Sequence, residues 1–72
     1  MKLNYFSDTD SLYIELAEQP SVESREVSEG IVLDYDAGGH LVGIDIDNAS
    51  AKVDLKTLKL ANLPAKVETV AA

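Results

Sequence analysis

Between Gly30 and Asn48 the chain reads GIVLDYDAGGHLVGIDIDN, two runs of alternating apolar residues on either side of a Gly-Gly pair. A period of two sends successive side chains to opposite faces of a strand, and glycine supplies the positive φ that tight turns require, so this stretch reads as a β-hairpin. Ile31, Leu33 and Tyr35 share one face of the first arm; Val42, Ile44 and Ile46 share one face of the second. The register is then fixed by whether those rows fall on the same side. A three-residue loop, Ala37 to Gly39, would pair Leu33 with Gly43 and set the rows on opposite faces. A four-residue loop, Asp36 to Gly39, pairs Leu33 with Val42 and Ile31 with Ile44 and aligns them. The second is the expected register, with Asp36 opening the turn and Gly39 left-handed. Val32, Asp34, Leu41, Gly43 and Asp45 then lie on the other face, whose mixed polarity implies partial cover by a partner or by the C-terminal segment.

The rest of the chain is arranged around that hairpin. Lys2 to Phe6 and Ser11 to Ala17 form a first one, joined by Ser7-Asp8-Thr9-Asp10, whose side chains favour bonding to nearby backbone over continuing a ladder. Leu12, Ile14 and Leu16 make a buried row, and Tyr13 faces away from it. Pro20 breaks the pattern, and Val22 to Val27, with Glu23, Arg25 and Glu26, suits a charged edge strand or an extended connector. Gly30 permits a bend or bulge before the main hairpin. After Asn48 the period changes: Asn48 or Ser50 caps a single turn through Val53, and Asp54 caps a helix from Leu55 to Ala61, stopped by Asn62 and Pro64. The expected object is a small α+β domain over residues 1–63, an antiparallel β-meander of four to five strands followed by a short C-terminal helix, with 64–72 a flexible tail.

Size and charge narrow the function classes. A chain of 72 residues is at most one domain and buries only about 60% of the surface its unfolded form exposes. Cysteine is absent and there is one histidine, so disulfides, thiolate metal sites and zinc chemistry offer no support, and self-association is the expected remedy. The net charge of −7 opposes a nucleic-acid surface. It is unevenly spread: residues 1–48 carry Lys2 and Arg25 against eleven acidic side chains, whereas 49–72 carry four lysines against Asp54 and Glu68. No apolar run approaches the ~20 residues needed to span a bilayer, and MKLNYFSDTD lacks a signal-peptide core, so the cytoplasm is expected.

YFSDTDSLYIEL and GIVLDYDAGGHLVGIDIDNAS, residues 5–16 and 30–50, carry a resemblance. They are similar to the Y-D-x-x-x-D-x-L-Y-I-x-L and G-I-x-x-D-Y-D-x-x-G-x-L-V-G-I-E-I-x-x-A-S stretches of the small prokaryotic family known as domain of unknown function 2283. Phe6 stands where that family commonly has Asp, and Asp45 where Glu is usual. The resemblance implies a small antiparallel sheet with a short C-terminal helix, and it implies no activity.

The chemistry-bearing residues are chiefly carboxylates. Asp34 to Leu41 begins like a calcium loop, with carboxylates at positions one and three, Gly39 at six and Asp45 at twelve. Gly38 and Val42 occupy positions five and nine, where ligands belong, and the flanks have strand period, so Asp36 reads as a turn cap and Asp34 and Asp45 as solvated strand residues. Asp34, Asp36 and Asp45 are the candidates for a metal, and Asp8 and Asp10 read as Asx-turn residues. Paired carboxylates acting as acid and base need a pocket that a sheet this small offers little depth to form, and His40 has no Ser, Cys or second His to support it. Tyr13, Val32, Leu41 and Gly43 are the candidate interface residues. The expected function is a non-catalytic, self-associating protein-interaction module without cofactor, a homodimer foremost, binding neither nucleic acid nor membrane. The alternatives are a divalent-metal or small-ligand binder using the hairpin aspartates, and an antitoxin-like partner that neutralises another protein.

Overall fold

The central hairpin forms between β4 (Ile31–Tyr35) and β5 (Leu41–Ile46), in a register neither simple loop would produce. The computed structural model describes residues 1–53 and 68–71. Asp36 N–H donates to the His40 carbonyl at 2.9 Å and Gly39 N–H to the Asp36 carbonyl at 3.1 Å, so the loop proper is the three-residue Ala37–Gly39, with Gly39 at φ 81°. Tyr35 accordingly faces Leu41. A bulge then intervenes on β5: the next pair is Asp34 with Gly43, followed by Leu33 with Ile44 and Ile31 with Ile46, leaving Val42 as the extra residue. A bulge puts two residues against one and shifts the side-chain alternation by one position. It thereby restores the alignment of apolar rows that a three-residue loop alone would spoil. The expected four-residue loop is corrected on this ground, and so is the place of Leu41, which pairs with Tyr35 instead of sharing a face with Val32.

The first hairpin, β1 (Lys2–Phe6) and β2 (Ser11–Glu15), closes as expected, with Phe6 opposite Ser11 across Ser7–Asp10. β3 (Glu23–Ser28) pairs with β4 and carries a bulge between Glu26 and Ser28; the Glu29–Gly30 turn follows, with Gly30 at φ 73°. The sheet order is β3-β4-β5-β2-β1-β6, so the chain runs β3-β4-β5 as a meander and β5 returns to pair with β2. β1 to β5 pair with one another antiparallel. Within the stretch read as a tail, Glu68–Ala71 form β6, parallel to β1. A one-turn helix, α1 (Ala49–Lys52), follows β5, giving the α+β class expected. The longer helix foreseen from Leu55 to Ala61 lies outside the described residues. No helix among the described residues is long and apolar enough to cross a membrane.

Direct cross-strand partners share a face, so the pairing registers fix what lies beside what. On one face Leu3, Leu12, Ile46 and Ala49 form the buried cluster, with Tyr5, Ile14, Ile31, Ile44 and Val53 packed around it at intermediate exposure. Ala49, fully buried, is where α1 meets the sheet. On the other face run Val32, Asp45 and Tyr13 in one row and Asp34, Gly43 and Glu15 in the next. β3 forms the end of the sheet, and every one of its residues is exposed, as its charged sequence implied.

Candidate functional site

The second face brings Tyr13, Glu15, Asp34 and Asp45 together, and its organising residue is Gly43. A Cβ built on Gly43 would overlap the Tyr13 hydroxyl and ring; the three nearest atoms all belong to that side chain. Gly43 is therefore the gap through which Tyr13 of β2 crosses β5 to reach β4. The close approach implied by this glycine is made by the chain's own tyrosine. Tyr13 Oη donates to Asp34 Oδ2 at 3.0 Å, and the Ser24 hydroxyl of β3 donates to Asp34 Oδ1 at 2.6 Å. A polar rib thus spans four adjacent strands. Burial, the bond to Asp34 and the negative charges of Asp34, Glu15 and Asp45 push the Tyr13 hydroxyl up to about 12. It is a neutral hydrogen-bond donor across the physiological range, and a phenolate base is not available here.

The remaining candidate aspartates divide by environment. Asp36 Oδ1 accepts from Gly38 N–H and His40 N–H, each at 2.9 Å, and lies 3.2 Å from His40 Nδ1. Its pKa is lowered, foremost by the backbone N–H of His40, then by that of Gly38 and by the imidazole. This is the turn-capping role read from the sequence. The His40 ring itself stands in solvent. Asp45, opposite Val32 and Tyr13, has a raised pKa: burial leads, and Asp47 and Asp34 add like-charge repulsion. Asp34 and Asp45 lie diagonally on one face, whereas Asp36 belongs to the turn at its end. Among the described residues no group of three or more His, Cys, Asp or Glu is placed to hold a metal ion.

The raised pKa of Asp45 makes stability depend on pH. Its folded pKa exceeds the unfolded one, so the native state binds the extra proton and is favoured at low pH. That advantage disappears as pH rises through the folded pKa. Asp45→Asn is therefore expected to stabilise the protein at pH 7, with the gain fading as pH falls through the folded pKa and gone below the unfolded one, pH ~4. Chemical denaturation of the two proteins at pH 7 and pH 3 checks this; equal gains at both would show that charge is not the cause.

A second polar node joins the first turn to α1. Asp10, at φ 52°, accepts the Tyr5 hydroxyl on Oδ1 at 2.8 Å, Ser50 N–H on Oδ1 at 3.1 Å and the Ser50 hydroxyl on Oδ2 at 2.6 Å. Its carbonyl accepts Ala49 N–H at 2.9 Å. The Asx-turn reading of Asp10 is replaced by this long-range one. Asn48 occupies the N-cap position of α1 in a left-handed conformation, φ 52°, and makes no side-chain cap bond; Asp10 supplies the cap from 40 residues away. Local spacing gives no sign of such a partner. Ser24 escaped the sequence reading for the same reason, because only the β3–β4 register sets it opposite Asp34.

A mostly antiparallel sheet, apolar on the side that receives one helical turn and acid-and-tyrosine decorated on the other, defines a small sheet domain in which Asp10 and Asp34 are each bonded to side chains of two other elements. The chain belongs to the family described as "Protein of unknown function (DUF2283)", whose model matches residues 2–50. That stretch contains all five antiparallel strands and ends at Ser50, so it takes in both polar nodes. No curated protein and no solved structure matches the chain.

Proposed function

We propose that the protein is a non-catalytic interaction module that acts as a self-associated assembly, a homodimer in the first instance, in the cytoplasm. The observation that carries this reading is the thinness of the core. Leu3, Leu12, Val42, Ile46 and Ala49 are its buried apolar residues among those described, and no large side chain is fully buried. A fully buried aliphatic side chain contributes only about 1.5–3 kcal/mol, and ordering each backbone residue costs about 1–2 kcal/mol, so a sheet this lightly filled gains most by burying area against another chain. The reading as non-catalytic rests on the commitment of the candidate groups. Asp34 is bonded to Tyr13 and Ser24, Asp36 closes its turn, and Tyr13 stays protonated.

Sedimentation equilibrium between about 5 and 200 µM is expected to fit a monomer–dimer scheme, with the thermal midpoint rising with protein concentration, as mass action requires of a coupled dimer. A single monomeric species over that range, with a concentration-independent midpoint, would remove the reading.

A further inference from the structure

We infer that two copies of this chain join through their β3 strands, antiparallel, in the one register that sets Glu23 of each against Arg25 of the other. The inference rests on the self-association proposed above and names its surface. β3 ends the sheet order, so among the described residues its outer backbone groups meet no further strand. All of its residues are exposed; Val22, just before it, and Val27, within it, are 63% and 58% exposed. An open edge is a template for another strand, and edge charges ordinarily act against such pairing. Here they select among registers.

The selection follows from strand geometry. Along a strand the N–H and C=O groups point alternately to one side and the other, and facing residues must both point toward the joint or both away. For two identical strands about a two-fold axis, the axis therefore passes beside a residue and not between two. An axis at Glu23 sets Glu23 against itself, one at Arg25 sets Arg25 against itself, and one at Glu26 sets Glu26 against itself. Like charges directly opposed destabilise a pair. An axis at Val22 sets Pro20, which has no N–H, against Ser24, and Val27 falls within the bulge. An axis at Ser24 sets Glu23 against Arg25 twice, once on each side.

The side chains are already disposed for this. Glu23 and Arg25 lie on the same face, facing Tyr35 and Leu33 of β4. The Arg25 guanidinium lies 5.1 Å from the Tyr35 ring centroid and 3.1 Å from the Glu23 carboxylate, with both charged side chains more than half exposed. The joint is isologous, so it closes at two copies and forms one continuous sheet. Each Arg25 would have its own Glu23 beside it along the strand and the partner's across the joint, an alternating square of four charges.

The test uses the full-length chain. By sedimentation equilibrium, Glu23→Arg and Arg25→Glu are each expected to weaken the dimer by about tenfold or more, because each sets two like-charged pairs across the joint. Both sites are solvent-exposed, so far-ultraviolet circular dichroism is expected to match the wild type. The E23R/R25E double variant regains the wild-type affinity. An equimolar mixture of the E23R chain and the R25E chain is expected to form a heterodimer that neither chain matches alone, a result the intrachain Glu23–Arg25 pair cannot produce. A wild-type dimer whose single variants associate as tightly, or whose mixed variants show no rescue, overturns the β3 joint and leaves self-association standing. A monomeric wild type overturns both.

Discussion

Gly43→Val is expected to destabilise the protein by about 2–3 kcal/mol, because a branched side chain must enter space already filled by Tyr13. For a domain of this size that is roughly 8–24 °C in thermal midpoint. Gly43→Ala is the more informative change. Alanine in a strand interior is ordinarily favoured over glycine by about 0.5–1 kcal/mol. Here its Cβ displaces the Tyr13 ring, and the bond from Tyr13 Oη to Asp34 is lost. A hydrogen bond to a charged acceptor contributes about 1.5–3 kcal/mol, and the partial exposure of this pair cuts that substantially. The net expectation is a loss of about 0.5–1 kcal/mol. In a Tyr13→Ala background the obstruction is gone, so Gly43→Ala should change sign and stabilise by about 0.5 kcal/mol. A double-mutant cycle by urea denaturation measures this. The same sign in both backgrounds would mean that Tyr13 is not what requires glycine at this position.

Much of this architecture is legible in the residues, and the failures share one cause. Period-two alternation marks both hairpins, and Asp36 and Gly39 identify their own roles because a turn is local chemistry. Gly43 signals that something approaches closely, but the alternation assigns Tyr13 only to a face. Which strand Tyr13 crosses depends on β2 pairing with β5, and sequence proximity does not dictate that pairing. The hairpin register turned on parity. Parity sets the faces only along an uninterrupted ladder, and the bulge at Val42 inserts one residue that exchanges them. The bulge also has a structural partner: the Val42 carbonyl accepts Leu16 N–H at 2.8 Å and Ala17 N–H at 3.2 Å, holding the end of β2 where its ladder stops. The aspartates were visible as a group, yet their separate commitments depend on Ser24, Tyr13 and Ser50, partners from 10 to 40 residues distant.

Asp10→Ala is expected to lower the thermal midpoint markedly, since it removes three contributions at once. Alanine is disfavoured at φ 52°, where the short polar side chains of Asp and Asn are better tolerated. The hydrogen bonds to Tyr5 and to Ser50 disappear. With them goes the only side-chain cap of α1 among the described residues, the turn that seats Ala49 on the sheet. Two further variants separate these effects. Asp10→Gly relieves the backbone and still lacks the cap, so it should lie above alanine in thermal midpoint. Asp10→Asn tolerates the left-handed conformation and keeps an acceptor oxygen for Ser50 N–H, so it should lie above glycine and below the wild type. The Asp10 pKa is lowered, chiefly by the Ser50 hydroxyl and then by Tyr5, so its contribution is present above the unfolded-state pKa and is lost as pH falls through the folded one. The gap between wild type and Asp10→Gly should accordingly be widest at neutral pH and narrow steadily below pH ~4. Glycine falling level with alanine would assign the site to capping alone, and a gap that does not narrow between pH 4 and pH 2 would show that the carboxylate charge is not what holds α1 to the first turn.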